Sequence, residues 1–502
     1  MVSSIARCCV TVITHTSGRS MLVSPDLKGT DIMEEEKNWY RKRSYAHFDK
    51  PISESKAYEL VSNPERVARH AFWPVILNPQ KTISLAASNG QRVHTAKYRP
   101  IAFSAHSDSH IYAYYAALLS QYLEDRYAET SGNHVLAYRK FEPPQCNIHF
   151  AYAAFEEVKA KEACDVIAID VEGFFDTLDH ELLKQSWLTL LGKDRLPADH
   201  YAIYKACTKD MAITLPTLRD IFGGEIRRRA GKDGAAICTP QDFRRLVKPS
   251  LCLRHDLVWQ VKRKALPSHL NSKAAGIPQG LPISAVLANI YMFEADLKIK
   301  SQIENIGGSY RRYSDDILLI VPSESAKDAK LIIDAELAAV QLHVNHNKTM
   351  HCRFRASDGR LKAFSVDEHL QEQGLSPLSY LGFTFDGQDL RVRNSTVSGF
   401  MIKAKRAITR ATTAAKNSES KHLKKRQLYA RLTSLGYGDA YGKGVYEANA
   451  ERILPKGAPR LGFFKYLQLA EKITGSDTIS TQIRQIEGQV FREIHAAEKS
   501  LK

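Results

Sequence analysis

The sequence is poor in cysteine, lacks any long apolar run and has fewer acidic than basic residues. Its eight cysteines are spread through 502 residues, without a C-x-x-C pair or a Cys/His cluster at zinc spacing. This argues against a zinc site and fits a reducing compartment, so we expect a cytoplasmic location. No apolar run approaches the ~20 residues of a membrane span, and we expect no membrane partner.

The positive charge is unevenly distributed. Lys and Arg outnumber Asp and Glu by 71 to 55, which gives a formal net charge of +16. Residues 401–502 hold 20 basic and 9 acidic side chains and so contribute +11 of that charge. A solvated helical surface is the ordinary explanation of a charged stretch, but an excess of one sign favours a partner that carries phosphates. We therefore expect nucleic-acid contact in this C-terminal stretch.

Helical periodicity dominates both ends of the chain. The stretches "SHIYAYYAALLSQYLEDRY" and "HFAYAAFEEVKAKEA" predict helices within a mostly helical segment, 33–165, which follows a leader, 1–32, that lacks clear periodicity. After about 395, "GFMIKAKRAITRATTAAKN" and "KHLKKRQLYARLTSLGYG" predict an all-helical region, 395–502. The second of these helices is predicted to stop at Gly436 and Gly438.

Between these regions the apolar pattern changes to that of strands. "DVIAIDVEGFFD" predicts a strand that leads into a helix, "RRYSDDILLIV" predicts two strands joined by a turn, and "LSYLGFTFDGQDLRVR" predicts a hairpin with Asp-Gly turn chemistry. We assign 166–394 to this mixed region, with an insertion of helix and loop at about 180–275. The chain is thus predicted to have an α+β fold.

Three aspartates lie at the ends of these predicted strands. Asp315 and Asp316 are adjacent in "RRYSDDILLIVP", where Ser-Asp-Asp also suits an ordinary turn. Asp170 ends "DVIAID", where the ordinary alternative is a helix N-cap. Carboxylates gathered without a cation repel one another. Oxygen-only ligands favour Mg²⁺ or Mn²⁺, and two such ions ~3.5–4 Å apart support phosphoryl transfer. The aspartates together therefore predict a two-metal site for phosphoryl transfer.

Five stretches in order resemble the palm motifs of reverse transcriptases. They are Asp170 with "FFD", "GIPQGLPISAVLANIYM", "YSDD" at 313–316, "HVNHNKT" and "YLGFTF". The resemblance covers roughly residues 95–385. It implies a right-hand polymerase with fingers at 33–165, an antiparallel palm sheet packed on helices at 166–394 and a helical thumb-like domain at 395–502. It also implies two Mg²⁺ ions, replaceable by Mn²⁺, at Asp170, Val171, Asp315 and Asp316.

The same motif positions imply a nucleotide-binding set. Lys97, Arg99 and Arg139 resemble the basic fingers residues that grip a triphosphate, although each also suits an ordinary surface cation. Gln279 resembles the residue beside the incoming sugar. Phe175 resembles the steric gate that excludes a 2′-hydroxyl, so the expected product is DNA; its alternative is a core phenylalanine.

Two further roles follow from the resemblance. Lys348 matches the position proposed as general acid for pyrophosphate, with a solvated lysine as the alternative. Leu381, Gly382 and Phe383 resemble the hairpin that holds the primer end, with simple core packing as the alternative.

Within this family, a stand-alone chain of this size with "QGLPISAVLANIYM" and a helical tail resembles the bacterial abortive-infection and defence-associated enzymes. "WYRKRSYAHFDKP" resembles the second enzyme of the type 3 two-enzyme antiphage system. This implies antiviral defence, dNTP substrates, a dedicated noncoding RNA, a DNA product, a second reverse transcriptase and homo- or hetero-oligomers. It also implies synthesis that starts from a protein hydroxyl or proceeds without a conventional template.

Two alternative functions stay open. One is an RNA-binding scaffold or maturase whose palm is no longer catalytic, and the other is an intron-type enzyme that copies a bound RNA.

Overall fold

The computed structural model describes residues 39–43, 45–88, 91–130, 132–223, 236–262, 274–418, 422–432 and 462–501, without the side chains of 82–97, 259–262 and 430. These residues form helices and mainly antiparallel sheets, so the predicted α+β class is confirmed. The predicted leader, 1–32, lies outside the described residues. None of the helices in the described ranges is long and apolar enough to cross a membrane.

The N-terminal region combines helices with one long hairpin. Its elements are α1 Glu54–Val61, α2 Pro64–Ala68, β1 Val75–Ser88, β2 Gln91–Phe103, α3 His106–Glu129 and α4 Asn147–Lys161. Helices α3 and α4 confirm the two helices predicted from periodicity, but the hairpin departs from the mostly helical expectation. Prolines inside an apolar run argue against a strand. Here Pro79 and Pro100 lie opposite one another, so both interruptions fall at one position of the ladder.

The insertion extends the sheet of this hairpin. The elements from the first palm strand to the end of the insertion are β3 Cys164–Asp170, α5 Phe174–Thr177, α6 His180–Leu191, α7 Ala198–Thr208, β4 Met211–Thr214, α8 Leu215–Phe222, α9 Pro240–Asp242, β5 Cys252–Leu253 and α10 Arg254–Lys262. Strand β4 pairs in parallel with β1 and antiparallel with β5, which gives the order β2-β1-β4-β5. The insertion is therefore built onto the region before β3.

The region predicted as the palm contains a six-stranded antiparallel sheet in the order β10-β9-β8-β3-β7-β6. Its remaining elements are α11 Ser284–Asn305, β6 Ser309–Tyr313, β7 Asp316–Val321, α12 Ala326–Ala339, β8 Met350–Ser357, β9 Arg360–Val366 and β10 Glu372–Leu375. Both faces of β7 are covered: Ile317 and Leu319 belong to the core around α11, whereas Leu318 and Ile320 belong to the core shared with α4 and the C-terminal helices. Burial on both faces explains the continuous apolar run after Asp316.

A small sheet leads into the C-terminal helices. The elements are β11 Leu378–Tyr380, β12 Phe383–Phe385, β13 Leu390–Val392, α13 Asn394–Lys416, α14 Lys425–Leu432, α15 Phe463–Thr474 and α16 Asp477–Lys499. The predicted hairpin is thus part of a three-stranded sheet. The described part of 395–502 is helical, as expected, while Gly436 and Gly438 lie outside it. The predicted domain boundaries stay predictions.

Candidate active site

The three aspartates meet at one end of the central strands. Asp170 is the last residue of β3 and lies directly opposite Asp316, the first residue of β7. Asp315 lies in the turn before β7, and its carbonyl oxygen accepts a 3.1 Å hydrogen bond from Val171 N. Like charges placed directly opposite on antiparallel strands destabilise a sheet. This register is therefore unfavourable unless a cation or a proton neutralises part of the charge.

Burial and neighbouring negative charge both act on Asp316. Burial, the charge of Asp315 and the charge of Asp170 together raise the pKa of the Asp316 carboxyl to about 7, although Arg393 and Lys348 act in the opposite direction. A carboxyl group that burial and neighbouring charges perturb this far is typical of a functional site.

Lys348 lies within this cluster. Its Nζ is 2.5 Å from Oδ2 of Asp170, and Nδ2 of Asn345 is 3.3 Å from the same oxygen. The segment after α12 is tied to β3 because Asn345 N donates a 2.8 Å hydrogen bond to Asp170 O. The Lys348 side chain is 42% exposed. The structure thus brings the residue predicted as general acid to the predicted metal ligands.

The donors suit a hard divalent cation, because they are carboxylate oxygens. Asp170, Asp315 and Asp316 are the side chains that would hold it. Among the residues that the structure describes, however, no three His, Cys, Asp or Glu side chains are arranged as a metal site, and Lys348 binds one oxygen of Asp170. A cation at that oxygen requires the ammonium group to move. Metal binding at these aspartates and at Val171 stays a prediction.

A buried ion pair is hydrogen-bonded to the backbone of the turn that carries the aspartates. Arg312 and Asp296, on β6 and α11, are both fully buried, and the guanidinium donates to both carboxylate oxygens at 2.7 and 2.6 Å. It also donates to Asn289 Oδ1 at 3.2 Å and to Ser314 O at 3.2 Å. Burial opposes the charge of Arg312, but Asp296 outweighs burial and raises the pKa of Arg312. The sequence does not predict this ion pair, because in "RRYSDD" nothing distinguishes the buried arginine from its neighbour.

The turn itself has a second contact that the sequence did not indicate. Ser314 has a positive φ of 62°, and its hydroxyl lies 3.2 Å from the hydroxyl of Tyr138. Tyr138 also has a positive φ, 64°, and is 38% exposed. A non-glycine residue in this conformation is strained, and such strain clusters at functional sites. Ser314 thus combines a strained backbone with a hydrogen bond to Tyr138 directly before the aspartate pair.

Two predicted nucleotide-binding residues lie on neighbouring segments. Phe175, on α5, is partly buried, and its ring centroid is 5.5 Å from that of the buried Phe174. The carbonyl of Phe175 accepts a 2.8 Å hydrogen bond from Ile277 N, in the same loop as Gln279. Gln279 O in turn accepts a 2.8 Å hydrogen bond from Ala102 N on β2. The predicted gate, the glutamine loop and β2 are thus joined by backbone hydrogen bonds.

The three basic residues of the predicted nucleotide-binding set lie in different surroundings from one another. Arg99 lies on β2 and is partly buried, while the side chain of Lys97 lies outside the described residues. Arg139 forms a two-pronged ion pair with Glu124 at 2.8–3.2 Å, and its guanidinium lies 4.0 Å from the ring centroid of Tyr127. These contacts favour a structural role for Arg139. Its predicted grip on a triphosphate stays a prediction, since none of these contacts reaches the aspartates.

The predicted primer hairpin is a tight turn between β11 and β12. Leu381 and Gly382 have positive φ values of 43° and 92°, and Asn147 Nδ2 donates a 3.0 Å hydrogen bond to Leu381 O. Leu381 and Phe383 are 5% and 1% exposed. Their side chains therefore pack in the core, and a primer contact would fall to the backbone of the turn.

One segment of the chain matches a known protein family. Residues 241–385 match the family described as reverse transcriptase (RNA-dependent DNA polymerase). This segment is similar to reverse transcriptases. It contains Gln279, Asp315, Asp316 and Lys348, whereas Asp170 lies before it. Among curated proteins, no sequence matches the chain.

Three similar solved structures are telomerases from two Candida species. The apo telomerase of Candida tropicalis truncated from the C-terminal domain has a TM-score of 0.35 and 11% identity over 68% of this chain. The apo telomerase of Candida tropicalis has a TM-score of 0.37 and 13% identity, covering 91% of this chain and 67% of its own. That of Candida albicans, in complex with a fragment of telomeric RNA, has a TM-score of 0.32 and 10% identity, covering 70% of this chain and 52% of its own. The chain spans 61% of the first of these telomerases.

Proposed function

We propose that this chain is an RNA-directed DNA polymerase, a nucleotidyltransferase that adds dNTPs to a DNA strand. The observation that carries the proposal is the register of β3 and β7, which places Asp170 opposite Asp316 with Asp315 in the adjoining turn. The family match over residues 241–385 supports this enzyme class. Three carboxylates collected at one end of two buried strands are otherwise unfavourable.

The proposed chemistry depends on divalent cations. Two Mg²⁺ ions, or Mn²⁺ in their place, would be held by Asp170, Asp315 and Asp316 with the backbone of Val171. When bound, such ions neutralise charge on the phosphates and lower the pKa of the attacking hydroxyl. Lys348, close to Asp170, is suited to give a proton to the leaving pyrophosphate.

The proposed nucleotide site lies on the side of Phe175 and Gln279. The ring of Phe175 would exclude a 2′-hydroxyl by its bulk. It also offers that hydroxyl no hydrogen bond to replace those that the group makes with water. Gln279 would lie beside the sugar, and Arg99 and Lys97, on the neighbouring strand β2, would hold phosphate oxygens. This arrangement makes DNA the product.

Helix α13 offers a surface for the nucleic-acid backbone. Lys403, Arg406 and Arg410 are exposed on it at spacings of three and four, which places them on one face. The helix follows directly after β13, close in sequence to the proposed primer hairpin. A row of cations of this kind binds phosphates, with an affinity that falls as salt rises. We propose that RNA and the DNA product contact this face.

The proposed biological setting is bacterial antiphage defence in the cytoplasm. It is supported by the resemblance of "WYRKRSYAHFDKP" and of the palm motifs to defence-associated reverse transcriptases. A dedicated noncoding RNA, a second reverse transcriptase and oligomeric assembly belong to the same proposal. Phage plaque counts on cells carrying wild-type protein or a catalytically inactive variant test this role.

The enzymatic proposal is tested with purified chain, Mg²⁺ and labelled dNTPs, with and without prior ribonuclease treatment. Asp315→Asn should abolish incorporation while leaving folding and RNA retention intact, because it removes charge at almost constant volume. The matched control is Asp334→Asn, an exposed aspartate of α12, which should incorporate at the wild-type rate. Equal incorporation by Asp315→Asn and wild type would contradict the assignment of Asp315 as a catalytic residue. RNA retention without incorporation by the wild type would favour a scaffold.

A further inference from the structure

Arg254, at the start of α10, is a buried cation that the insertion contributes near the predicted nucleotide site. Its Nε donates a 2.9 Å hydrogen bond to Oδ1 of Asp210, and its Nη2 donates one of 2.8 Å to the carbonyl oxygen of Gly276. The side chains of Arg254 and Asp210 are 4% and 6% exposed. One guanidinium therefore joins the insertion to the loop that contains Gln279.

Gly276 is where three segments converge. Its carbonyl also lies 2.8 Å from Nε2 of His180, and its N–H donates a 2.8 Å hydrogen bond to Leu178 O. With a φ of 87°, and with an added Cβ only 2.6 Å from Asp176 O, this position accepts no side chain. Because Ile277 N donates to Phe175 O at 2.8 Å, residues 276 and 277 are held tightly against the segment 175–178, which we call the gate segment.

The other end of the same loop is fixed to β2. Gln279 O accepts the hydrogen bond from Ala102 N, and a Cβ at Gly280 would lie 2.8 Å from Ala102 O. Gln279 thus lies on a short loop, 276–280, whose first end is bonded to the gate segment and whose last end is bonded to β2. Arg254 is the charged donor at the first end.

We propose that Arg254, oriented by Asp210, is a positioning residue that fixes the loop 276–280 against the gate segment and thereby sets selectivity for the sugar of the incoming nucleotide. The inference rests on the proposed polymerase function. The planar guanidinium can bond a carboxylate and a carbonyl at once, and it remains charged when buried. Lysine has a single nitrogen on a flexible stem and so lacks the two separate nitrogens that make these bonds. The insertion therefore takes part in substrate selection.

The first test compares sugar discrimination in two arginine variants of the same insertion. Arg254→Lys keeps the charge opposite Asp210 and loses the guanidinium fork. The control, Arg245→Ala, removes a side chain that is 75% exposed and pairs with Asp242 at 3.3 Å. The ratio of kcat/KM for a dNTP to that for the matching rNTP should fall roughly tenfold in Arg254→Lys, as expected for loss of a hydrogen bond from a charged donor. It should stay at the wild-type value in Arg245→Ala. An unchanged ratio in a folded Arg254→Lys overturns the proposal.

The second test does not depend on activity. Amide hydrogen exchange at Gly276 and Ile277, whose N–H groups bond to the gate segment, should be faster in the full-length Arg254→Lys chain, while exchange in β8 stays unchanged. If the wild type incorporates no nucleotide, the proposed function fails and exchange still decides whether Arg254 holds the loop. Unchanged protection at both amides overturns the positioning role, and faster exchange at both supports it. A thermal melt establishes that the variant is folded.

Discussion

Replacing Arg312 with methionine removes a fully buried guanidinium from behind the turn that carries Asp315 and Asp316. The side chain donates to Asp296 at 2.6 and 2.7 Å, and to Asn289 and the carbonyl of Ser314 at 3.2 Å. Without it, the Asp296 carboxylate keeps the hydroxyl of Tyr310 as a donor at 2.6 Å but loses its cationic partner. The variant thus leaves a buried charge uncompensated.

The expected cost is large relative to the stability of a protein. Breaking a buried ion pair by removing one partner destabilises by about 3–5 kcal/mol, against a total free energy of unfolding of about 5–15 kcal/mol. The matched control is Arg311→Met on the same strand. Arg311 is 20% exposed and pairs with the partly exposed Glu157 at 2.6 Å, so its loss should cost less than the loss of Arg312, because water can reach the carboxylate that is left.

Urea denaturation followed by tryptophan fluorescence measures both variants. Arg312→Met should also slow nucleotide incorporation in the fraction that remains folded, because the carbonyl of Ser314 loses a donor next to the aspartates. The double variant Arg312→Met with Asp296→Leu should recover much of the lost stability, since no unpaired charge then remains buried. Equal losses for Arg312→Met and Arg311→Met, or no recovery in the double variant, would refute the reasoning.

Three more variants test the site itself. Because folding raises the pKa of Asp316 from 3.8 to about 7, the folded chain binds this proton more tightly, and stability should fall as pH rises between those values. Asp316→Asn should remove that dependence and melt higher than wild type at pH 8 with EDTA, by the equivalent of at least ~1 kcal/mol; equal melting would contradict it. Phe175→Ala should raise ribonucleotide incorporation roughly tenfold relative to dNTPs, and unchanged discrimination would place the gate elsewhere. Lys348→Met should lower single-turnover incorporation about 100-fold while costing under about 1 kcal/mol in urea, because its pair with Asp170 is partly exposed; wild-type turnover would exclude proton donation.

Local sequence patterns predicted the elements that depend on near neighbours. The apolar run before Asp170 and the run after Asp316 correspond to β3 and β7, and periods of three and four predicted α3 and α4. The long hairpin β1–β2 was missed because Pro79 and Pro100 break both strand patterns. The Asn89-Gly90 dipeptide, typical of a hairpin turn, was the available signal.

The sequence by itself determined which residue types the candidate site contains: three carboxylates at strand ends, an aromatic residue after β3 and a glycine-bounded glutamine. Only the tertiary structure decided which groups meet. Strand register placed Asp170 opposite Asp316, and burial distinguished Arg312 from Arg311 and Arg254 from Arg245. The physical reason is that a strand or helix pattern depends on residues a few positions apart. Hydrogen bonds such as that from Arg254 to Gly276, or from Lys348 to Asp170, join residues brought together by chain folding alone.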